Sequence, residues 1–312
     1  MRRVGIYVVA GGAFLLAVVL TVTGAGERPG ALPNWQALIL GIVQGLTELL
    51  PVSSSGHLIL VPWLGDWNYL ETHEQFNKTF AVALHLGTLV AVVAYFRRDI
   101  WALIVAWFRS VARRRIETPA ERVAWFVLVA TVPAAFVGAV GESVIEKHLG
   151  DPWQIAILLT AFGALLWISD RTAPRREMNE LGWRGALAIG LAQCLALAPG
   201  VSRSGVTITT SRFLGLDRDA AARFSFLLLV PIVFGASVLK GLTDVVFGDL
   251  PPGSTGPFVV GMLAAAVTGL VAIWALLGYV RRHTYSLFVG YRLMVAAAVL
   301  ILIATGVRDA SF

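Results

Sequence analysis

Long apolar runs dominate this chain and leave few choices of fold. Phe80 to Phe96, Val123 to Val140, Pro257 to Val280 and Phe288 to Val307 carry almost no charge. They approach the roughly 17–25 residues that a helix needs to cross a bilayer core of about 30 Å. Hydrocarbon cannot hydrogen-bond a free backbone, so runs of this kind become helices. Only 14% of the 312 residues are charged and 57% are hydrophobic, against about 25% charged in a soluble domain. With a mean hydropathy of +0.75, the chain reads as an all-α, polytopic integral membrane protein.

Two apolar segments depart from this pattern, and they depart in the same way. Ala37-Leu38-Ile39-Leu40-Gly41-Ile42-Val43-Gln44 leads into Ser53-Ser54-Ser55-Gly56, and Ala186-Leu187-Ala188-Ile189-Gly190-Leu191-Ala192-Gln193 leads into Ser202-Arg203-Ser204-Gly205. Gln44 and Gln193 lie 149 positions apart, as do Ser53 and Ser202, so the match has no gap. Each segment is broken by glycine, proline and hydroxyls, and each carries a charge, Glu48 or Arg203, where lipid disfavours one. Paired, interrupted hydrophobic segments in the two halves of a chain point to a binding site between repeats.

Loop charges give a path through the membrane. The net charge of +6 sits largely in arginines within short loops, a positive-inside signal rather than a nucleic-acid footprint. Arg2 and Arg3 hold the N-terminus inside, so a first helix, Val4 to Gly24, leads out. It is longer than the apolar core of about 7–15 residues of a signal peptide, and Thr23-Gly24-Ala25 is a poor cleavage site, so a retained helix is expected. Phe80 to Phe96 then travels inward to a basic loop carrying Arg97, Arg98, Arg109, Arg113, Arg114 and Arg115. Residues 36–64 therefore start and finish outside, dipping in as a re-entrant pair that turns near Pro51 to Gly56. Val123 to Val140 leads out and Trp153 to Ile168 returns. Residues 185–215 then start and finish inside, flanked by Arg184, Arg218 and Arg223. Phe224 to Leu239 exits, Pro251-Pro252-Gly253 turns outside, and the last two runs complete the chain.

The expected fold is an inverted-topology repeat. Each half has one re-entrant helix pair plus three transmembrane helices, and an extra transmembrane helix precedes them. Residues 1–30 hold that helix and 31–312 form a single polytopic domain, with repeats at about 35–169 and about 184–307. Non-helical backbone at membrane depth is tolerated only inside protein or along a wet cavity, so the two breaks should converge and bring Glu48, His57 and Arg203 together.

Gln44 and Glu48 are one turn apart and share a helical face. A lone intramembrane carboxylate needs a partner, and Arg203 is the obvious one; the pair could be purely structural. The surrounding donors, Ser53, Ser54, Ser55, Ser202, Ser204, Thr207 and His57, exceed what a structural pair requires. Arginine presents a planar fork to phosphate oxygens, and N–H groups at Gly56 and Gly205 would add helix N-terminal donors. Glu48 and His57 could handle protons or activate Ser54 as a nucleophile. His85 stays open between packing and a buried hydrogen bond. Gly261, Ala265 and Gly269 read as a close helix contact, and the single cysteine, Cys194, reads as a packing residue.

These residues carry a family resemblance. Gln44-Gly45-Leu46-Thr47-Glu48-Leu49-Leu50-Pro51-Val52-Ser53-Ser54-Ser55-Gly56-His57 resembles the Glu/Gln-X-X-X-Glu and Pro-Val-Ser-Ser-X-Gly-His signature of the undecaprenyl-diphosphate phosphatases of the bacitracin-resistance type. Pro199-Gly200-Val201-Ser202-Arg203-Ser204-Gly205-Val206-Thr207 is similar to the second signature of that family, and Phe224 to Ile232 also looks family-like. The resemblance covers roughly residues 35–307. It implies a multi-pass enzyme of the bacterial inner membrane, with its site facing outward, that hydrolyses undecaprenyl diphosphate to the monophosphate and so recycles the carrier for peptidoglycan. It implies catalytic roles for Glu48, Ser54, His57 and Arg203, either with Ser54 as nucleophile or with these residues activating water directly. Substrate binding would fall to Gln44, Ser53, Ser55, Ser202, Ser204 and Thr207. A divalent cation, magnesium with Glu48 as ligand, is implied as well. Expected partners are undecaprenyl diphosphate and membrane lipid, not nucleic acid, with a homodimer left open.

Many members carry glutamate where this chain has Gln44. An amide cannot serve as a general base, which leaves Glu48 as the one evident anionic ligand. The rival reading is a secondary transporter or lipid flippase, because inverted repeats with broken helices are transporter architecture. A purely structural scaffold would leave both polar segments unexplained.

Overall fold

Every regular element among the described residues is helical, as the apolar runs require. The structure is a computed structural model, describing residues 31–172, 176–240 and 253–311. The expected N-terminal helix and the turn prolines Pro251 and Pro252 lie outside these residues. In chain order the helices are α1 (Asn34–Leu49), α2 (Ser54–Gly65), the single turn α3 (Tyr69–Thr72), α4 (Glu74–Arg113), α5 (Pro119–His148) and α6 (Pro152–Thr172). After them come α7 (Trp183–Cys194), α8 (Arg203–Phe213), α9 (Arg218–Lys240), α10 (Thr255–Val280) and α11 (Ser286–Ala304). Six of them, α4, α5, α6, α9, α10 and α11, are long and apolar enough to cross a membrane. These match the six apolar runs after the first.

The two interrupted segments break at equivalent places. Helix α1 ends at Leu49, Leu50 is extended, and Pro51 has no N–H with which to continue a helix. Ser53 then takes a left-handed φ of 74°, and its hydroxyl caps α2 by accepting from Gly56 N at 3.3 Å. In the second segment, Leu195–Leu197 tightens into a 3-10 turn after α7 and Pro199 follows. Ser202 has a φ of 75° and caps α8 by accepting from Gly205 N at 3.0 Å. A positive φ is uncommon outside glycine, and here it recurs at matched serines. The N–H groups of Gly56 and Gly205, expected as ligand donors, are thus already used in the caps.

Small residues let the broken segments pack closely. Helix α1 lies along α10, with Gly41 facing Gly261 and Gly45 facing Ala265, Thr268 and Gly269. A Cβ on Gly45 would stand 2.0 Å from Thr268 Oγ1 and 2.5 Å from the carbonyl oxygen of Ala265. The expected small-residue stripe at 261, 265 and 269 is therefore the seat of α1. Helix α7 packs on α5 in the same manner, where a Cβ on Gly190 would approach Ala130 O at 2.7 Å. Helices α4 and α9 pack on each other, as do α6 and α11. A continuous apolar core including Leu49, Phe96, Phe126, Phe224, Phe226 and Leu276 fills the space between them.

One element differs from the expected pattern. The basic stretch after Phe96 is not a loop: α4 kinks at Phe96 (φ −96°, ψ 17°) and stays helical to Arg113. The reason lies in Ile100, Leu103, Ile104, Trp107 and Phe108, whose helical spacing makes an apolar face toward α5 and α9. The turn that follows is fixed by a capping box between Thr118 and Glu121, and Arg113 bonds the same buried Glu121.

Candidate active site

The two breaks meet backbone to side chain. Ser53 Oγ accepts from Gly200 N at 3.0 Å, and Ser204 Oγ donates to Leu50 O at 2.9 Å, so a serine from each segment closes on the other. Ser53 and Ser55 hydroxyls lie 3.5 Å apart and those of Ser202 and Ser204 3.2 Å apart. These four hydroxyls hold the frame on which the charged groups sit.

Glu48, at the end of α1, is the hub. It is only 5% exposed, and a buried carboxylate persists only when charges and donors surround it. Its Oε1 accepts from Arg203 Nε at 3.3 Å. Its Oε2 accepts the Ser54 hydroxyl and Gln44 Nε2 (3.3 Å), and His85 Nε2 lies 3.4 Å away. The glutamine at position 44 is thus a donor to Glu48, a role that a carboxylate there could not fill. Its other amide atom, Oε1, is buried with no hydrogen-bond partner among the described residues.

Arg203 opens α8 and reaches across the junction. Its Nη1 donates to Ser225 O on α9 at 2.7 Å. Thr207 supports it from one turn on, with Oγ1 2.7 Å from Arg203 O and 2.8 Å from Ser225 Oγ. Arg203 Nη2 is buried beside the glutamate without a hydrogen-bond partner among the described residues, a donor free for an oxyanion.

His57 occupies a neighbouring position with both ring nitrogens engaged. Its Nδ1 donates to Ser53 O at 2.7 Å, and Nε2 meets Tyr291 OH on α11 at 2.8 Å. The structure therefore gathers Glu48, Ser54, Gln44 and Arg203 in direct contact, and sets His57 behind the serine turn.

Sequence reasoning left three participants aside. His85 was open, and it lies against Glu48. Ser225 falls inside the family-like stretch Phe224 to Ile232, which was the available signal. Arg292 was missed, although an arginine within an apolar run is itself a signal. It is fully buried on α11 and binds backbone oxygens of Pro51 (3.2 Å), Gly200 (2.8 Å), Val201 (3.2 Å) and Leu159 (2.9 Å). Carbonyls left unpaired by both breaks thus share one guanidinium.

Among the described residues no three histidine, cysteine, aspartate or glutamate side chains gather into a metal-binding cluster. The oxygen donors at hand are the Glu48 carboxylate, the unpartnered Gln44 Oε1 and the Ser54 hydroxyl. Such a set suits magnesium only in part, with phosphate oxygens and water completing an octahedron.

A helical membrane protein with a buried carboxylate, a hydroxyl bonded to it and an arginine with a free donor is equipped to work on an anionic group. Residues 37–298 match the family model of the bacitracin resistance protein BacA, and the chain belongs to that family. It is 48% identical over 266 residues to the undecaprenyl-diphosphatase of Geobacter sulfurreducens, covering 85% of this chain and 96% of that one. It is 46% identical to the undecaprenyl-diphosphatase of Thermomicrobium roseum, covering 86% of this chain and 98% of that protein. A third relative of that name, from Desulforudis audaxviator, is 44% identical, with 86% and 97% covered.

Proposed function

We infer that this chain is a membrane-embedded phosphatase that hydrolyses undecaprenyl diphosphate to undecaprenyl phosphate and inorganic phosphate. The lipid carrier returns to cell-wall synthesis, and the bacitracin-resistance role of the family goes with that activity. The observation that carries the chemistry is the Ser54 hydroxyl held on Glu48 Oε2 while Arg203 holds Oε1.

In this reading Arg203 Nη2 takes the terminal phosphate. Ser54 Oγ bonds to the terminal phosphorus as its proton passes to Glu48 Oε2. The bond from that phosphorus to the bridging oxygen breaks, and undecaprenyl phosphate leaves. Water then cleaves the phosphoserine, giving inorganic phosphate and restoring the hydroxyl. His57 braces the Ser53 carbonyl and through it the turn carrying Ser54. Gln44 keeps Glu48 in place and offers Oε1 to the substrate or to a cation. A magnesium ion held by Glu48 and Gln44 would neutralise charge on the diphosphate; loss of turnover on chelation, restored by magnesium, tests for it.

The same reading makes the two broken segments re-entrant pairs of an inverted repeat with the site opening outward. Supporting it are the matched serine caps, the arginine-rich loops and the reciprocal packing of α1 on α10 and α7 on α5. The cell membrane is the location this implies.

The test is a rapid-quench digest after mixing the purified enzyme with terminally labelled polyprenyl diphosphate in detergent. Label on Ser54, absent from Ser54→Ala, is the expected result. Full turnover by Ser54→Ala would instead make water the nucleophile on Glu48. Detergent has no two sides, so a pure transporter would release no phosphate at all.

A further inference from the structure

His85 sits in the apolar middle of α4, where a polar ring needs a reason. Its Nδ1 lies 2.7 Å from Ala81 O, one turn back along the same helix. That bond fixes the ring plane and leaves Nε2 pointing outward from the helix. Nε2 reaches to 3.4 Å from Glu48 Oε2, the oxygen that receives the Ser54 proton in the mechanism above. Arg203 holds the other carboxylate oxygen from α8. The carboxylate is therefore suspended between two nitrogenous groups from different halves of the chain. The His85 side chain is 29% exposed against 12% for Arg203 and 5% for Glu48, the least enclosed of the three.

We propose that His85 is a positioning residue for the reaction: as an imidazolium, with Nδ1–H on the Ala81 carbonyl, it donates Nε2–H to Glu48 Oε2 and holds that oxygen on the Ser54 side against the pull of Arg203. Without it, Glu48 Oε2 swings away from Ser54 while Oε1 stays on Arg203 Nε. The Ser54 hydroxyl then loses its acceptor, although the ion pair and the fold persist. His85 faces the base, not the free Arg203 Nη2, so substrate binding changes little. A glutamine side chain carries an amide N–H to nearly the same place and would retain the hold. This inference rests on Glu48 acting as the base for Ser54.

The experiment compares His85→Leu, His85→Ala, His85→Gln and Glu48→Gln as full-length chains in detergent, with kcat and KM for phosphate release. Partners that orient a functional ligand typically contribute roughly 10–100-fold. His85→Leu and His85→Ala should lose about that in kcat, with KM within about threefold of the parent. His85→Gln should recover most of the loss. Three results overturn the proposal: kcat within twofold of the parent in both apolar variants, a change confined to KM, or a glutamine variant as slow as the leucine one. If one apolar variant fails to fold, the other with the glutamine rescue still decides. Normal turnover by Glu48→Gln would instead overturn the role given to Glu48, whatever the histidine variants do.

Discussion

Arg203→Lys tests the phosphate grip most sharply, because it keeps the charge and removes the fork. The arginine does three things through three nitrogens. Nε bonds Glu48 Oε1, Nη1 bonds Ser225 O at 2.7 Å, and Nη2 has no partner among the described residues. A lysine ammonium is a single compact point charge. It cannot hold the Glu48 carboxylate and the Ser225 carbonyl in their present places and also offer a directed donor to substrate. At least two charge-assisted bonds are therefore lost or misaligned in the transition state, at about 1.5–3 kcal/mol each. The sum is roughly 3–6 kcal/mol, and about 1.4 kcal/mol is tenfold in rate. kcat/KM should fall about 10²–10⁴-fold, read as phosphate release from polyprenyl diphosphate in detergent. Arg203→Ala should be no more active and less stable, because breaking a buried ion pair costs about 3–5 kcal/mol. A lysine variant within fivefold of the parent would refute the argument: the site would then need only a positive charge, and the free Nη2 would have no part in recognition.

Other consequences concern the scaffold. Gly45→Leu should destabilise the fold by at least about 1–3 kcal/mol of overpacking, since even a Cβ meets Thr268 and the Ala265 carbonyl; thermal unfolding in detergent reads the loss, and an unchanged midpoint would deny the close α1–α10 seat. Arg292→Leu leaves the Pro51 and Gly200 carbonyls unpaired, each at about 1–3 kcal/mol, so folded yield should drop sharply, with Arg292→Lys intermediate. Outside the spans, Arg308 holds the Asp66 carboxyl below its usual range through a hydrogen bond. A depressed carboxylate stabilises above its unfolded pKa of about 3.9 and loses that contribution as pH falls through its lower folded value. The acid-side decline of the unfolding midpoint should therefore be shallower in Asp66→Asn than in the parent.

The fold was largely legible because lipid restricts the backbone so strongly. Apolar length alone marked the six crossing helices, and Pro51 and Pro199 marked the breaks. The continuation of α4 past Phe96 was hidden by Arg97 and Arg98, which read as a loop although the apolar spacing from Ile100 to Phe108 is helical. The site was legible in its charged members, Glu48 and Arg203, because an intramembrane charge stands out in any composition. Its other members were less so. His85 and Ser225 come from long helices whose rotation about their axes is fixed only by tertiary packing, and no local pattern shows which face of α4 or α9 meets Glu48. The use of the Gly56 and Gly205 N–H groups was likewise unreadable, because a serine N-cap and a ligand compete for the same donors.

The duplication explains why so much of the site is frame and so little is chemistry. At matched positions both segments keep a close-packing glycine (Gly41, Gly190), a capping serine with positive φ (Ser53, Ser202) and the capped glycine (Gly56, Gly205). Arg292 bonds matched carbonyls, Pro51 and Gly200, in the two breaks. The glutamines are matched too, yet they work differently. Gln44 Nε2 donates to Glu48, whereas Gln193 Nε2 donates to Ala130 O on α5 at 3.3 Å. The difference follows from one neighbour: Leu197 occupies the place of Glu48, so the second glutamine has no carboxylate to hold and turns to backbone. Arg203 stands where Ser54 does, and Val206 where His57 does. Two segments with identical caps and glycines thus bring different groups to one junction, a carboxylate with a hydroxyl on it from the first and a guanidinium from the second. In the proposed mechanism neither half contains a complete site and the joined pair of breaks is the catalytic unit, so whatever loosens their mutual hydrogen bonds should lower activity before it unfolds the spans.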